Sequence, residues 1–458
     1  MDNEELISLS DKITELLKDK NFREIKILIN DERPQDIALL IESLPEKEMP
    51  PVFRLLTKEN AAETFVEMSG DSQELLINSF SDAELKAVFD EMFLDDTVDI
   101  IEEMPASVVK RIINQSDSVT RAQINEILKY PKDSAGSIMT IEYVSLKEYW
   151  TVRQCFDRIR KVAPDKETIY TCYVTDEKRK LIGCVTVRDL LLNDYETVIG
   201  TIMETDVISV ETTDDEEYVS QQISKYDLAA IPVVDTENRI VGIITVDDVL
   251  DVMEQEATED IQIMAAVTPS DEPYLEQSIW QIWKSRIPWL LILMISATFT
   301  GLIINHYEAT LNSLSPLLFA CIPMLMDTGG NAGSQVSVTV IRGLALDEIS
   351  PKDIWSVIWK ELRVSVLLAV VLATTCFAKL LLIDRLIFGY EYTWIICLVV
   401  SLALFATIVI AKLVGGLMPL LAKVLKLDPA VVASPFITTI VDALSLIIYC
   451  AIAVTVMN

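Results

Sequence analysis

A single carboxylate stands in an apolar stretch near the end of the chain. Residues 435–450 read PFITTIVDALSLIIYC, and Asp442 is the one charged residue among them. Thr438 and Thr439 precede it by four and three residues, so a helix would place the three side chains on one face. An ionisable residue at bilayer depth is costly and normally faces the bundle interior or an aqueous path. We therefore expect a cation to pass Asp442. The alternative is a protonated structural aspartate that is hydrogen-bonded to a neighbour.

A second polar pattern lies in residues 323–335, PMLMDTGGNAGSQ. Asp327, Asn331 and Gln335 recur every four residues, which predicts one polar stripe along a helix. These side chains offer oxygen and no sulfur, and oxygen ligands suit hard cations. The pattern therefore predicts a lining for a cation path. The proline and glycines among these residues are tolerated at membrane depth where the backbone lines a cavity or packs closely.

A third stretch of interest is residues 411–430, AKLVGGLMPLLAKVLKLDPA. Gly415, Gly416 and Pro419 indicate a kinked helix end, because a proline inside a helix removes a backbone hydrogen bond. Asp428 follows them. We expect Asp428 to form an acidic cap at the cytoplasmic mouth of the last apolar segment.

Five hydrophobic segments would have to position these side chains. Each is long enough for a hydrocarbon core of about 30 Å. They are residues 287–305, 313–340, 362–387, 392–418 and 430–456. Lysine and arginine concentrate before the first segment, between the second and third, and between the fourth and fifth. Because cytoplasmic loops carry the excess of these residues, the N-terminus is expected in the cytoplasm and the C-terminus outside the cell membrane.

The charge of the chain is unevenly divided. Residues 1–276 carry 60 Asp and Glu against 27 Lys and Arg, whereas residues 277–458 carry 10 against 11. This excess of acid argues against a nucleic-acid partner and suits a cation, although a solvated acidic surface is the simpler alternative. His306 is the only histidine, which disfavours zinc sites and histidine-based catalysis. The cysteines form no C-x-x-C pair, and no Walker motif or signal peptide is expected.

The first 130 residues contain a repeat of twelve. Apolar residues followed by turn-like or acidic stretches recur at Leu44, Leu56, Met68, Phe80, Met92 and Met104. Twelve residues fit a two-turn helix and a tight turn, with Ser, Thr, Pro or Asp at the helix start. Because a short helix cannot bury its apolar face alone, stacking into a small α-solenoid is predicted.

A longer repeat follows, with an offset of 59 residues. The stretch CVTVRDLLL at 184–192 matches IITVDDVLD at 243–251, and each copy reads as strand, turn, strand and helix. This pattern resembles a tandem pair of CBS modules over residues 137–252. Such pairs sense ligands or nucleotides, so Asp189 and Asp248 are candidate ribose contacts, with a helix N-cap as the alternative. The acidic residues 251–267 are expected to form a helix that connects the pair to the membrane segments.

These motifs together resemble the MgtE family of magnesium channels. GGNAGSQ, GGLMPLLAKVLKLDPA and PFITTIVDALSLIIY occur in the family's order, behind a CBS pair and an acidic helical region. The resemblance implies a multidomain chain with an acidic α-helical N-domain (1–130), a tandem CBS (α+β) pair (137–252), a connecting or plug helix (253–280) and five transmembrane helices (281–458). It also implies a homodimer in the cell membrane, embedded in lipid, whose pore runs along the dimer axis.

The resemblance assigns roles to particular residues. The pore aspartate of the family falls on Asp442, its small residues before the pore on Ala433 and Ser434, and its mouth aspartate on Asp428. Ser434 departs from relatives that carry Asn there. The acids that would bind regulatory Mg²⁺ are Glu63, Asp95, Asp99, Asp215, Glu217, Asp227, Asp248, Asp251, Glu259 and Asp260.

Bound Mg²⁺ would hold the gate closed by cancelling repulsion between apposed carboxylates. Mg²⁺ is therefore expected as both cargo and regulator. ATP or another adenine nucleotide is a candidate modulator, with Thr171 and Leu228 at the positions where the family stacks the base on an aromatic side chain.

Two alternatives remain at this stage. One is a transporter or exchanger of another divalent cation, such as Co²⁺ or Mn²⁺, which an oxygen-lined path does not exclude. The other is an intramembrane aspartyl protease that uses Asp327 and Asp442, since residues 327–329 read DTG. A protease offers no reason for the acidic residues of the first part, and we expect no enzymatic activity.

Overall fold

The structure is a computed structural model with two compact units, Met1–Met253 and Glu254–Asn458. It describes residues 3–270, 274–275, 277–346, 348–432 and 434–457, without the side chains of Asn3, Glu4, Glu103 and Ser434.

Ten short helices open the first unit. They are α1 (Asn3–Lys18), α2 (Phe22–Asn30), α3 (Pro34–Glu42), α4 (Met49–Phe53), α5 (Lys58–Val66), α6 (Gly70–Ser79), α7 (Asp82–Phe89), α8 (Leu94–Glu103), α9 (Ala106–Gln115) and α10 (Ser118–Ile127). From α5 to α10 each helix begins twelve residues after the one before, so the predicted period is confirmed. That these helices stack as a solenoid stays a prediction.

Side chains before the helices fix where several of them begin. Thr57 and Asp117 accept hydrogen bonds from the first-turn N–H groups of α5 and α10, and Ser81 forms a capping box with Glu84 at α7. Such caps satisfy N–H groups that have no partner within the helix. The apolar faces of these helices share one core, which includes Phe53, Phe65 and other fully buried side chains.

Two three-stranded sheets follow, with the same topology. The first holds β1 (Ser145–Lys147), β2 (Thr171–Thr175) and β3 (Leu181–Thr186), with α11 (Val152–Val162) and α12 (Val187–Leu192). The second holds β4 (Val210–Glu211), β5 (Ala230–Val234) and β6 (Ile240–Thr245), with α13 (Glu216–Tyr226) and α14 (Val246–Met264).

The strands of the two sheets pair in the same way, as the internal sequence repeat predicts. In each sheet the first pair of strands is parallel and the second antiparallel, with a bulge near the end of the hairpin. Thr171 pairs with Thr186, and Ala230 pairs with Thr245, at the predicted offset of 59 residues. The helix expected after the second copy begins inside that copy, at Val246, and continues to Met264.

The second unit consists mainly of long apolar helices. They are α15 (Ile279–Leu314), α16 (Pro316–Ala320), α17 (Ile322–Ala345), α18 (Ile354–Lys379), α19 (Trp394–Val424) and α20 (Ser434–Met457). Helix α18 ends in a π turn, Leu380–Asp384, which brings Asp384 to 2.8 Å from the Nζ atom of Lys379.

Four spans among the described residues are long and apolar enough to cross a membrane. These spans are Ile279–Leu314, Pro351–Asp384, Trp394–Val424 and Pro429–Met457. The second predicted segment corresponds to α17, which is not among the four. Its polar stripe and glycines account for the difference, because each lowers the hydropathy of a helix that is otherwise long enough.

Helix α17 packs against both α19 and α20. Its buried face is rich in small residues, including Gly329, Gly330 and Gly333. The backbone of Gly333 lies so close to Gly415 of α19 that a side chain at Gly415 would collide with its carbonyl group. Small residues thus allow close approach of helix backbones in the apolar unit.

Candidate functional site

Asp442 lies on α20 and faces α17. Its side chain is half-buried, and its Oδ1 atom is 3.9 Å from the point that a Cβ atom on Gly330 would occupy. The Cγ2 atom of Thr438 is 3.1 Å from the same point. A glycine of α17 therefore leaves the space beside this carboxylate and threonine.

The two threonines before Asp442 turn their hydroxyl groups to the backbone. Thr438 and Thr439 donate hydrogen bonds of 2.9 Å and 3.0 Å to the carbonyl oxygen of Pro435. Each hydroxyl oxygen can still accept a hydrogen bond from water. Both side chains are half-buried, so this turn of α20 carries polar oxygen atoms towards the partly open space around Asp442.

The polar stripe of α17 lies opposite its glycine face. Asp327, Asn331 and Gln335 are all exposed, whereas Gly329, Gly330 and Gly333 are buried. The charges of Asp327 and Asp442 are near enough to repel each other. Asp327 is thus the member of the exposed stripe whose charge acts on the half-buried Asp442.

Asp428 caps the 3₁₀ turn Pro429–Val432 that precedes α20. Its Oδ1 atom accepts a 2.8 Å hydrogen bond from the N–H of Ala430, and the side chain is exposed. Burial, and then the nearby charge of Asp428, raise the pKa of Asp260 at the end of α14, while Arg342 and Lys423 act in the opposite direction. Acids and bases therefore meet where these helices end.

Two of the sequence-predicted positions fall outside the described part of the chain. Ala433 lies outside the described residues, and the side chain of Ser434 is not described.

Carboxylates also form a cluster in the first unit, contributed by α8, by the segments before β1 and β2, and by the first turn of α14. We call this group the acidic cluster, and it contains Asp95, Asp96, Glu142, Glu167, Asp247 and Asp248. Asp95 is only 6% exposed, and an aspartate is rarely buried to this degree unless it is paired.

Hydrogen bonds hold part of the cluster in place. Glu142 accepts the hydroxyl of Thr140 at 2.6 Å and the N–H of Leu94, at the start of α8, at 3.3 Å. Thr245 donates its hydroxyl to Asp248. In contrast, buried oxygen atoms of Asp95 (Oδ1) and Glu167 (Oε2) have no hydrogen-bond partner among the described residues. Buried acceptors without partners are uncommon and indicate a missing donor, water or ion.

Burial and mutual repulsion shift the titration of this cluster. Burial, and then the charge of Asp248, raise the pKa of Asp96 to about 7 and that of Glu167 to about 7. The same two causes raise the pKa of Asp95 well above its usual range. Burial also raises the pKa of Asp248, although its bonds from Thr245 oppose the shift. A cation would relieve this repulsion.

The structure brings together only part of the predicted regulatory set. Asp95 and Asp248 lie in the acidic cluster, and the charge of Asp251 acts on Asp248. Glu63 and Asp99 are exposed on α5 and α8, and Glu259 is exposed on α14.

The predicted acids around α13 occupy both of its ends. Asp215 is the N-cap, Glu217 lies in the first turn, and Asp227 is the C-cap. Because α13 has 11 residues, its ends are about 15 Å apart, too far for one ion to bind both within one chain.

Sequence reasoning missed four members of the acidic cluster: Asp96, Glu142, Glu167 and Asp247. The Asp-Asp doublets at 95–96 and 247–248 were a signal for Asp96 and Asp247. Nothing local distinguishes Glu142 or Glu167, which join the cluster through the fold. Within the described residues, no three acidic, histidine or cysteine side chains converge at distances that would bind a metal directly.

Asp189 helps to cap a helix N-terminus, which is close to the N-cap role given above as the alternative to a ribose contact. Thr186 is the N-cap of α12, and Asp189 completes a capping box by accepting from the backbone N–H of Thr186 at 3.1 Å. Thr245 and Asp248 repeat the contact at α14. Both aspartates are therefore partners of the cap rather than the cap itself.

Family models match three parts of the chain. A model described as "Divalent cation transporter" matches residues 322–452. The model of the MgtE intracellular N domain matches residues 32–133, and the CBS domain model matches residues 135–195 and 199–255.

Curated relatives match over full length. The magnesium transporter MgtE of Thermus thermophilus is 35% identical over 454 residues, which is 98% of each chain. The magnesium transporter MgtE of Bacillus subtilis is 31% identical over 442 residues, which is 96% of each chain.

Two solved structures resemble the first part of the chain. One is the cytosolic domain of the Mg²⁺ channel MgtE in complex with ATP, with a TM-score of 0.51 and 36% identity. The match covers 53% of this chain and 99% of that one. The other is the soluble part of a magnesium transporter, with a TM-score of 0.51, 31% identity, and coverage of 55% and 99%.

Proposed function

Since the chain belongs to the MgtE family of magnesium transporters, we propose that it conducts Mg²⁺ into the cytoplasm along a path beside Asp442 and that Mg²⁺ on the cytoplasmic side closes this path. The family consists of transporters and not of enzymes, so the protease alternative is withdrawn. Mg²⁺ transport comes with the family, whereas the direction, the path and the gate are proposals.

The space that Gly330 leaves beside Asp442 is the main support for the proposed path. The carboxylate is half-buried and is the one charged group of α20, and a glycine of α17 leaves space beside it. The exposed oxygen-bearing side chains of Asp327, Asn331 and Gln335 continue from there along α17. Mg²⁺ gives up its water reluctantly, so these oxygens would bind the hydrated ion. Concentration and membrane potential would drive entry, without ATP hydrolysis.

The same stripe supports a homodimer. Three polar side chains exposed to lipid would be costly, so a second copy of the chain is expected to cover them and share the path. Helix α17 would then be a fifth membrane crossing in addition to the four apolar spans. The basic residues near the ends of α17 and α19 support a cytoplasmic N-terminus and an external C-terminus.

The acidic cluster supports the proposed gate. Asp95 and Asp248 would bind a hydrated Mg²⁺ together with Asp96, Glu142 and Glu167, because the unpartnered oxygens of Asp95 and Glu167 need donors that water ligands can supply. Glu63, Asp99, Asp215, Glu217, Asp227, Asp251 and Glu259 would serve at the rims of this and other regulatory sites. Asp260 and Asp428 would act at the mouth of the path, where their charges meet.

An adenine nucleotide is a further proposed modulator. A relative that is 36% identical over its cytosolic part is described in complex with ATP, and the CBS pair is the element that would bind it here. One carboxylate oxygen of Asp189 accepts the hydrogen bond from Thr186 in the capping box, so the other oxygen would contact the ribose. Thr171 and Leu228 offer no aromatic ring for the base. Weak ATP binding is therefore expected, which calorimetry with the full chain would measure.

The proposed path is tested by Mg²⁺ flux into proteoliposomes that contain the wild type, Asp442→Ala or Asp442→Asn. Both variants should lose flux, because each removes the charge that attracts the hydrated ion. Glu308→Gln is the matched control, since Glu308 is an exposed carboxylate on the membrane helix α15. Undiminished and still selective flux in Asp442→Ala would overturn the proposal and direct attention to Asp327, Asn331 and Gln335.

The choice of cation is tested in the same vesicles. The oxygen donors favour Mg²⁺, but they also accept Co²⁺ and Mn²⁺. Competition of these ions with Mg²⁺ gives the selectivity, and an imposed H⁺ or Na⁺ gradient separates a channel from an exchanger. Flux that requires either gradient would contradict the proposal of a channel.

A further inference from the structure

A buried lysine lies in the apolar unit and takes no part in the proposed path. Lys412 belongs to α19, whose other charged residue is Lys423 near the helix end. It is 5% exposed, and it precedes the end of α19 at Val424 by a distance of about 18 Å along the helix. A lysine at this depth is costly unless it is neutral or has a partner. Its surroundings should therefore contain a counter-charge.

The next turn of α19 shows what this side of the helix faces. A Cβ atom on Gly416 would lie 3.3 Å from Val336 of α17 and 3.8 Å from Val357 of α18. It would lie 3.7 Å from the Cγ atom of Glu361. Gly416 and Lys412 are four residues apart and share one face of α19.

Glu361 is the only acidic residue of α18, and α19 contains none. It is half-buried, so its carboxylate also lacks full hydration. Within the described residues, no carboxylate oxygen lies within 4.0 Å of the Lys412 ammonium group. The long flexible side chain of lysine can span one helical turn by a change of rotamer, and Gly416 leaves the space.

We propose that Lys412 and Glu361 form a charge pair inside the membrane unit that fixes α19 against α18. The turn of α19 from Lys412 to Gly416 also contains Gly415, which packs on Gly333 of α17. By fixing the position of α19, the pair keeps α17 in place beside Asp442. Both residues are positioning residues, and neither contacts the ion. The effect on flux rests on the proposed function, whereas the effect on stability does not.

A double-mutant cycle tests the pair in the full chain. Lys412→Met and Glu361→Gln each leave one charge without a partner, so each should lower the Tm of the detergent-solubilised protein by about 5–10 °C. The double variant leaves no lone charge and should recover most of this loss. Lys412→Arg should remain close to the wild type. Lys360→Met is the control, because Lys360 is exposed on α18 beside Glu361.

Flux measurements separate positioning from general stability. In proteoliposomes, each single variant should lower the maximal Mg²⁺ flux and leave the half-saturating Mg²⁺ concentration unchanged. The exchanged pair, Lys412→Glu with Glu361→Lys, should regain flux that each single exchange loses. Single effects that add without recovery, or a Glu361→Gln variant with wild-type Tm, would overturn the pair. Retained flux in Asp442→Asn with the Tm cycle intact would overturn the path and leave the pair, whereas lost flux with no recovery of Tm in the double variant would overturn the pair and leave the path.

Discussion

The two units place carboxylates away from water in opposite ways. The first unit gathers six into the acidic cluster, where burial and repulsion raise the pKa of Asp96 and Glu167 to about 7. The second leaves Asp442 on an apolar helix, with Asp327 as the acid near it. Clustered carboxylates repel one another until a cation binds among them, and this behaviour suits a sensor. A half-buried acid with one acidic neighbour attracts a cation without requiring one to stabilise the fold, which suits a path.

Two isosteric substitutions test this division of roles between the units most directly. Asp442→Asn should abolish Mg²⁺ flux at every cytoplasmic Mg²⁺ concentration. Asp95→Asn should keep flux at low Mg²⁺ and raise the concentration that half-inhibits it by about tenfold, the usual scale for losing one metal-site partner. Flux into proteoliposomes with buffered Mg²⁺ on the cytoplasmic face measures both. Equal loss of flux in the two variants would refute the division of roles.

A second prediction concerns the space beside Asp442. A Cβ atom on Gly330 would meet Thr438 at 3.1 Å, a contact that requires the threonine to move. Gly330→Val should therefore reduce flux strongly, and Gly330→Ala should reduce it less, while both keep inhibition by cytoplasmic Mg²⁺. Gly301→Val is the control, because nothing lies within 4 Å of its added Cβ atom. Wild-type flux in Gly330→Val would place the path elsewhere.

A third prediction uses the pH dependence of the acidic cluster. Asp96 and Glu167 have a pKa of about 7 in the cluster, against ordinary values of 3.8 and 4.5. Between these values the clustered state binds more protons than a separated one, so its stability falls as pH rises from about 4 to about 7. Without Mg²⁺, the first unit should resist proteolysis better at about pH 5.5 than at about pH 8.

Addition of Mg²⁺ should restore that resistance at the higher pH. The double variant Asp96→Asn with Glu167→Gln should show a flatter pH profile, because it removes two of the groups that titrate. Equal resistance at both pH values in the wild type without Mg²⁺ would argue that the carboxylates do not oppose one another.

The smallest effect is expected at Thr438. Its hydroxyl donates to Pro435 and can accept from a water of the ion. Thr438→Val keeps the shape and removes both interactions, so flux should fall moderately with little change in Tm. Thr438→Ser restores the hydroxyl and should restore the flux. A loss that serine does not rescue would assign the effect to packing against Gly330.

Local patterns were enough to predict much of this molecule. The helix starts from Lys58 to Ser118 follow the twelve-residue period, and the paired strands follow the offset of 59. Both are predictable because each repeat unit contains its own caps, turns and apolar face. The stripe from Asp327 to Gln335 is likewise a property of one helix, and it lies exposed on one face.

Contacts between distant segments were beyond local reasoning. Glu142 and Glu167 meet Asp95 and Asp248 because four separate parts of the first unit come together there. Lys412 was hidden inside an apolar segment, and its importance depends on burial between helices. The family resemblance also grouped Asp215 with Asp227, which lie at opposite ends of α13.

During synthesis, α17 emerges before α19 and α20, the helices that later cover its glycine face. An aspartate at the centre of a helix opposes insertion by about 2.5–3.5 kcal/mol, so Asp327 in the second turn of α17 opposes it by up to this amount. The glycines of α17 contribute little in compensation. This helix is thus a poor substrate for the insertion machinery when it is alone. We expect it to enter the bilayer only once its later neighbours are available. A nascent chain that stops after α18 should leave α17 outside the lipid, whereas a chain that extends past α20 should insert it.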